Sequence, residues 1–133
     1  MGKHSITIGI VVLIIIILIV INNKNNTNGK RSAYKDITGD EAKAELEKDS
    51  NIIILDVRTK EEHNERCIKN SISIPLNELE SRAEKEIQNK ESKIFVYCKT
   101  GVRSRTACET LVALGYTNIF NLGGIINWEY EVE

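Results

Sequence analysis

The spacing of apolar and polar positions divides the chain near residue 33. From Ile6 to Ile21 the sequence ITIGIVVLIIIILIVI carries no charge for sixteen residues. Asn22 to Lys30 is rich in asparagine and has no apolar period. From Tyr34 onward, short apolar runs alternate with charged amphipathic segments. Tyr34 to Ile37 predicts a short strand, and Thr38-Gly-Asp-Glu41 is a capping box that opens a helix to about Lys48. Asn51 to Val57, NIIILDV, is the continuous β-branched run of a buried parallel strand. A second capping box, Thr59-Lys-Glu-Glu62, opens a short helix. Ser71 to Pro75 reads as a strand closed by the only proline, and Asn77 to Ile87 as a helix with Leu79, Ala83 and Ile87 on one face. Lys93 to Tyr97 is another buried strand, Val102 to Leu114 a helix ending at Gly115, and Asn118 to Leu122 a last strand before Gly123-Gly124. This βαβα rhythm predicts an α/β fold, an open and mostly parallel sheet with helices on both faces.

The first apolar segment adds something outside that domain. With Ser5 and the flanking asparagines it reaches across a hydrocarbon core of about 30 Å. The expected organisation is a tail over 1–5, a single transmembrane anchor over 6–21, a flexible linker over 22–33 and a folded domain over 34–133. The main rival is a secretory signal peptide, since Lys3 supplies a basic start. No small-x-small cleavage site follows, however, and no cysteine stands there for lipid attachment. A soluble core helix is disfavoured because the run is apolar on every face. Lys3 before the segment and Lys24, Lys30, Arg31 and Lys35 after it favour a cytoplasmic domain, with export left open.

Charge narrows the function classes. The net charge of −1 conceals an asymmetry, because all 19 acidic residues lie at Asp36 or beyond, whereas four of the 18 basic residues precede Tyr34. The remainder carries 14 basic against 19 acidic side chains, a net of −5, which argues against a nucleic-acid partner. Cys67, Cys98 and Cys108 form no CxxC pair, and with only His4 and His63 they make no metal constellation. No cofactor is implied. An odd cysteine count leaves at least one thiol free.

The candidate chemistry lies at Tyr97 to Ser104, YCKTGVRS, directly after Ile94-Phe95-Val96. In open α/β sheets, ligands sit at the carboxyl ends of the strands, where Cys98 falls by sequence order. If Val102 begins a helix, the amides from Lys99 to Ser104, through Thr100, Gly101, Val102 and Arg103, curl around the sulfur as in an anion-binding nest. Gly101 permits the tight curl. The helix dipole and the charges of Lys99, Arg103 and Arg105 are expected to favour thiolate and to attract an anionic substrate. The bland alternative is a cysteine that closes a buried strand, with basic side chains that are only solvated.

Cys98-Lys-Thr-Gly-Val-Arg103 resembles the six-residue active-site loop of single-domain rhodaneses, the thiosulfate and persulfide sulfurtransferases. The resemblance covers about Tyr34 to Glu133. Ile54-Leu-Asp-Val-Arg58 with Glu61-Glu62 is similar to the family's LDVR segment. Asn70-Ser-Ile-Ser-Ile-Pro75 is similar to its strand ending in Ile-Pro, and Leu122-Gly-Gly-Ile-Ile-Asn-Trp128 to its carboxyl-terminal signature. The resemblance implies that Cys98 takes a sulfane sulfur from a small anionic donor, becomes a persulfide, and passes the sulfur to a thiol or cyanide acceptor. It implies supporting roles for Asp56 and Arg58 through hydrogen bonds and a charge pair. Arg66-Cys67-Ile68 departs from the usual Gly-His-Ile. Cys67 there is read as a small buried residue in the histidine's place, with a resolving thiol as the alternative. Cys108 is read as core, and Glu129 stands where relatives often carry proline.

Three functions follow from different classes. The first is a membrane-anchored sulfurtransferase, its lipid partner reached through residues 6–21. The second is a non-catalytic module that docks a partner. The third is a cysteine-dependent phosphatase, disfavoured because only four residues separate Cys98 from Arg103, one fewer than in a phosphatase signature.

Overall fold

The computed structural model describes residues 3–24 and 33–133. These fall into two compact units, divided between residues 31 and 32. The first is one helix, α1 (Lys3–Lys24). It starts before and ends after the expected segment 6–21, taking in most of the expected tail and the first three residues of the expected linker; residues 25–32 of that linker lie outside the described residues. Side chains are described over 8–19, and every residue there is exposed. Among the described residues no helix is long and apolar enough to cross a membrane, so the expected spanning segment finds no support here.

The second unit carries β1 (Lys35–Asp36), α2 (Gly39–Lys48), β2 (Ile53–Asp56), α3 (Lys60–Glu65), β3 (Ile72–Ser73), α4 (Leu76–Glu86), β4 (Ile94–Cys98), α5 (Val102–Ala113) and β5 (Ile119–Gly124). A 3₁₀ turn, Ile125–Asn127, follows. The five strands form one sheet in the order β1-β5-β4-β2-β3, and every pairing is parallel. Both expected capping boxes form. Thr38 accepts from the Glu41 amide while Glu41 accepts from the Thr38 amide, and Thr59 and Glu62 do the same at α3. Each satisfies two amides that a helix start leaves unpaired. Pro75 precedes α4, so that helix begins at Leu76, one residue earlier than expected. β1, β2 and β3 are shorter than the strands expected over 34–37, 51–57 and 71–75, because pairing rather than composition ends them. β5 instead runs on through Gly123 and Gly124.

Strand alternation sorts the core into two layers. Leu55, Val57, Val96 and Cys98 face one side, with Leu79, Ala83 and Ile87 of α4 and Ala107, Cys108 and Leu111 of α5. Ile54, Phe95 and Tyr97 face the other, with Ala42 of α2, Ile68 and Trp128. Every residue of β4 is buried, as a central strand covered on both faces requires. Each fully buried aliphatic side chain contributes about 1.5–3 kcal/mol, and Leu79, Leu111, Ile74 and Ile94 are wholly buried. Cys108 lies in this apolar layer, and burial, its largest cause, pushes its thiol up to about 12. It is a packing residue, as expected from its place on α5.

Candidate active site

β4 delivers Cys98 to the carboxyl edge of the sheet, and the chain then turns through Lys99-Thr100-Gly101 into α5. Gly101 adopts φ +105, a left-handed conformation that costs an L side chain about 1–2 kcal/mol. In that pose its amide donates to Cys98 Sγ over 3.0 Å. Cys98 is only 1% exposed, and that burial on its own would raise the thiol's pKa. The surrounding amides of Ser104, Gly101 and Thr100, with the polar Ser104 hydroxyl nearby, outweigh it, so the thiol falls below its ordinary value; of these the Gly101 amide makes the hydrogen bond to the sulfur. The direction of the shift is the expected one but its cause differs: the amide cradle lowers the thiol, and the charges of Lys99, Arg103 and Arg105 are not among the leading causes.

Arg103 shows why. Its guanidinium donates to both oxygens of Glu62, at 2.7 and 3.1 Å. The Arg103 hydrogen bonds, the main cause, hold the Glu62 carboxyl at about 2, and the capping bonds from Thr59 assist. The arginine expected to be free for an anion is therefore engaged by α3. Lys99, Thr100, Val102 and Arg105 are exposed, and Val102 leaves 74% of its surface open beside the loop.

Ser104 is fully buried and anchors the loop. Its hydroxyl lies 3.0 Å from the Gly101 carbonyl and 2.8 Å from Asn121 Oδ1. Asn121 Oδ1 also accepts from the Gly123 amide, while its amide nitrogen donates to Asp36. The loop is thereby tied to β5 and β1. Gly124 completes the seat, because a Cβ there would stand 2.5 Å from the Lys99 carbonyl oxygen and 2.9 Å from Thr100 Cα. Backbone on backbone leaves room for no side chain.

Asp56 and Arg58 brace the site from the opposite face of the sheet. Asp56 is the register partner of Tyr97, and its side chain shares the Tyr97 side, away from Cys98. It is completely buried. Oδ1 accepts from the Arg58 amide and Nε, and Oδ2 accepts from Arg58 Nη2 at 2.7 Å and the Tyr97 hydroxyl at 3.0 Å. His63 Nδ1 lies 2.9 Å from the same Oδ2. Arg58 continues to the Arg66 carbonyl, and the Tyr97 hydroxyl accepts from the Ile68 amide. A buried carboxylate costs little only when its lone pairs are filled in this way. The expected charge pair is present, but it rigidifies the ends of β2 and β4 rather than touching the sulfur.

Glu62, His63, Tyr97, Asn121 and Gly124 belong to the site region although the sequence does not mark them as site residues. Glu62 has a signal in its capping box, and Gly124 one in the paired glycines. Asn121 and Tyr97 have none, because their partners lie far along the chain. Cys67 is buried, and its amide and carbonyl pair with Glu133 at 2.7 and 2.8 Å. All three cysteines are free.

The fold and site together define the class: a parallel α/β sheet whose central strand ends in a buried cysteine cradled by loop amides. The chain belongs to the rhodanese-like domain family, whose model matches residues 38–131. It is 35% identical over 71 residues to thiosulfate sulfurtransferase PspE of Escherichia coli strain K12, covering 53% of this chain and 68% of that protein. It is 34% identical over 97 residues to thiosulfate sulfurtransferase GlpE of Coxiella burnetii strain RSA 331, covering 72% of this chain and 88% of that protein. The crystal structure of a rhodanese-like domain protein from Staphylococcus aureus superimposes with a TM-score of 0.63 at 34% identity, covering 74% of this chain and 96% of that one. The names of the two curated relatives are consistent with a rhodanese-type sulfurtransferase.

Proposed function

We propose that Cys98 moves a sulfane sulfur from a small donor, thiosulfate or a persulfide, to a thiol or cyanide acceptor through a cysteine persulfide. The observation that carries this reading is the amide cradle around a buried sulfur, with Gly101 N at 3.0 Å. It favours the attacking thiolate and equally suits the terminal sulfur of the persulfide that replaces it. The names of the relatives support the same chemistry. Lys99 to Ser104 form the substrate-facing loop, and Asp56 and Arg58 hold the strand ends that carry it. No cofactor enters the reaction, since the sulfur rides on the protein.

The test is direct. Incubation of the chain with thiosulfate, and separately with a persulfide donor, leaves the mass of one sulfur atom on the Cys98 peptide. A non-catalytic docking module gains none, and a phosphatase releases phosphate from aryl phosphates at a rate rivalling sulfur transfer. We also propose that α1 holds the domain, lying over 34–133, at a lipid bilayer as a single-pass anchor over 6–21 joined by a linker at 22–33, with the domain on the cytoplasmic side. The uncharged run from Ile6 to Ile21 supports this, and the basic residues that follow it support the orientation. The test places single cysteines at Asn26 or Asn28 in a chain lacking the native three. Protection from an impermeant maleimide until lysis is expected; labelling in intact cells reverses the orientation, and recovery in the soluble fraction overturns the anchor.

A further inference from the structure

We propose that Glu62 sets donor specificity: by occupying Arg103 it turns the site away from dianionic oxyanion donors such as thiosulfate and toward organic persulfides carrying at most one charge. The inference rests on the sulfur-transfer reading and narrows its substrate class.

Arg103 closes the Cys98 loop and lies near enough to feel the charge on the sulfur. It is the guanidinium carried by the Cys98 loop itself, yet both ends of its fork are bound to Glu62. The other guanidinium of the region, Arg58, is turned onto Asp56 and the Arg66 carbonyl. Beside the loop opens a cleft of about 380 Å³ lined by Val57, Arg58, Thr59, Pro75, Leu76 and Arg103. Asn77 also lines it, but Val57, Pro75 and Leu76 make most of the exposed wall apolar, as suits an organic group. Lys99 and Arg105 are exposed, where water and salt screen them, and Arg105 borders a separate cavity on the far flank of the loop with Asp36 and Asn121. A dianion in this cleft meets an Arg103 guanidinium whose charge is already offset by the ionised Glu62 behind it. The carbon end of an organic persulfide meets Val57, Pro75 and Leu76.

The chemistry balances with either donor. The Cys98 thiolate attacks the outer sulfur of R–S–SH and the S–S bond breaks. Cys98–S–SH forms, and R–S⁻ leaves and takes a proton from water. With thiosulfate the same attack releases sulfite. The donors differ in what the leaving group requires: sulfite concentrates negative charge that a free arginine would stabilise, whereas an alkyl thiolate carries one charge and an apolar body.

Glu62→Gln is the discriminating change, because glutamine keeps one oxygen for the capping bond to Thr59 while removing the charge and one of the two acceptors that hold Arg103. Loading of Cys98 by thiosulfate and by tert-butyl hydropersulfide is followed by mass spectrometry in the full chain in detergent. Glu62→Gln is expected to lower the half-saturating thiosulfate concentration about tenfold, the worth of one regained charge-assisted hydrogen bond. Loading by the hydropersulfide stays within about twofold of the native chain, the level of a surface contact, and Glu62→Asp restores native selectivity. Thiosulfate affinity is also measured by calorimetry in Cys98→Ser, with and without Glu62→Gln, where no reaction occurs. Unchanged or weaker thiosulfate binding in both assays overturns the specificity role of Glu62. Tighter thiosulfate binding in Cys98→Ser, with no sulfur loaded on the native chain by either donor, upholds Glu62 as the anion gate and overturns sulfur transfer instead.

Discussion

Gly124→Ala adds one methyl group at the point where β5 meets the Cys98 loop. The new Cβ would fall 2.5 Å from the Lys99 carbonyl oxygen, 2.9 Å from Thr100 Cα and 3.0 Å from Thr100 C. None of these atoms sits at the end of a flexible side chain, so either β5 or the loop must shift. β5 is held between β1 and β4, whereas the loop is held by Ser104, Asn121 and its own amides, so the loop moves. Overpacking of this kind costs about 1–3 kcal/mol. For a domain of this size that is a fall in melting temperature of roughly 4–20 °C. The larger effect is local. Displacement of Thr100 and Gly101 lengthens the 3.0 Å bond to Cys98 Sγ, and loss of one hydrogen bond to a charged acceptor costs about 1.5–3 kcal/mol. At 1.36 kcal/mol per pK unit, the thiol pKa should rise by about one to two units. The assay is the pH dependence of iodoacetamide alkylation at Cys98, followed by peptide mass spectrometry beside a thermal melt. A variant that melts lower but keeps the native alkylation midpoint refutes the dependence of the cradle on its glycine seat. One that keeps both refutes the contact itself.

Cys98→Ser should abolish sulfur transfer while leaving the melting temperature within a few degrees of native, since a hydroxyl is nearly isosteric but carries no sulfane sulfur; residual turnover at the native rate removes Cys98 from the mechanism. Tyr97→Phe strips the hydroxyl that pairs the Ile68 amide with Asp56, which should cost about 1–3 kcal/mol for the unpaired buried donor; chemical denaturation checks it, and loss of activity without loss of stability contradicts the bracing role. Burial raises the Cys108 thiol to about 12, so an unfolded chain releases this proton at lower pH than the folded one. Its contribution to stability therefore falls as pH rises from the ordinary thiol value toward about 12, and Cys108→Ala should flatten that part of the stability profile. Cys98 carries the opposite sign: its depressed pKa gives stability that is complete above the unfolded thiol value and is lost as pH falls through the folded one, a slope that Cys98→Ser should remove.

Much of this protein is local and therefore legible in one dimension. Thr38 and Thr59 start helices because the atoms that cap them lie three residues away, and β-branched runs make buried strands wherever they pair. Cys98, Gly101 and Ser104 stand within seven residues of one another, so a cradle around a strand-terminal sulfur is already written in their spacing. What the chain order could not show is which side chains from elsewhere meet that loop. Arg103 reads as a free cation until α3 brings Glu62 from 41 residues away. Asp56 reads as a neighbour of the sulfur until its register with Tyr97 puts it on the other face of the sheet. Asn121 and Gly124 become loop anchors only because β5 lies against β4, a pairing between strands separated by all of α5. Local hydrogen bonding and periodicity decided the elements and the loop around Cys98; the parallel sheet order decided the electrostatic company that cysteine keeps, because contacts between distant residues exist only once the strands have paired.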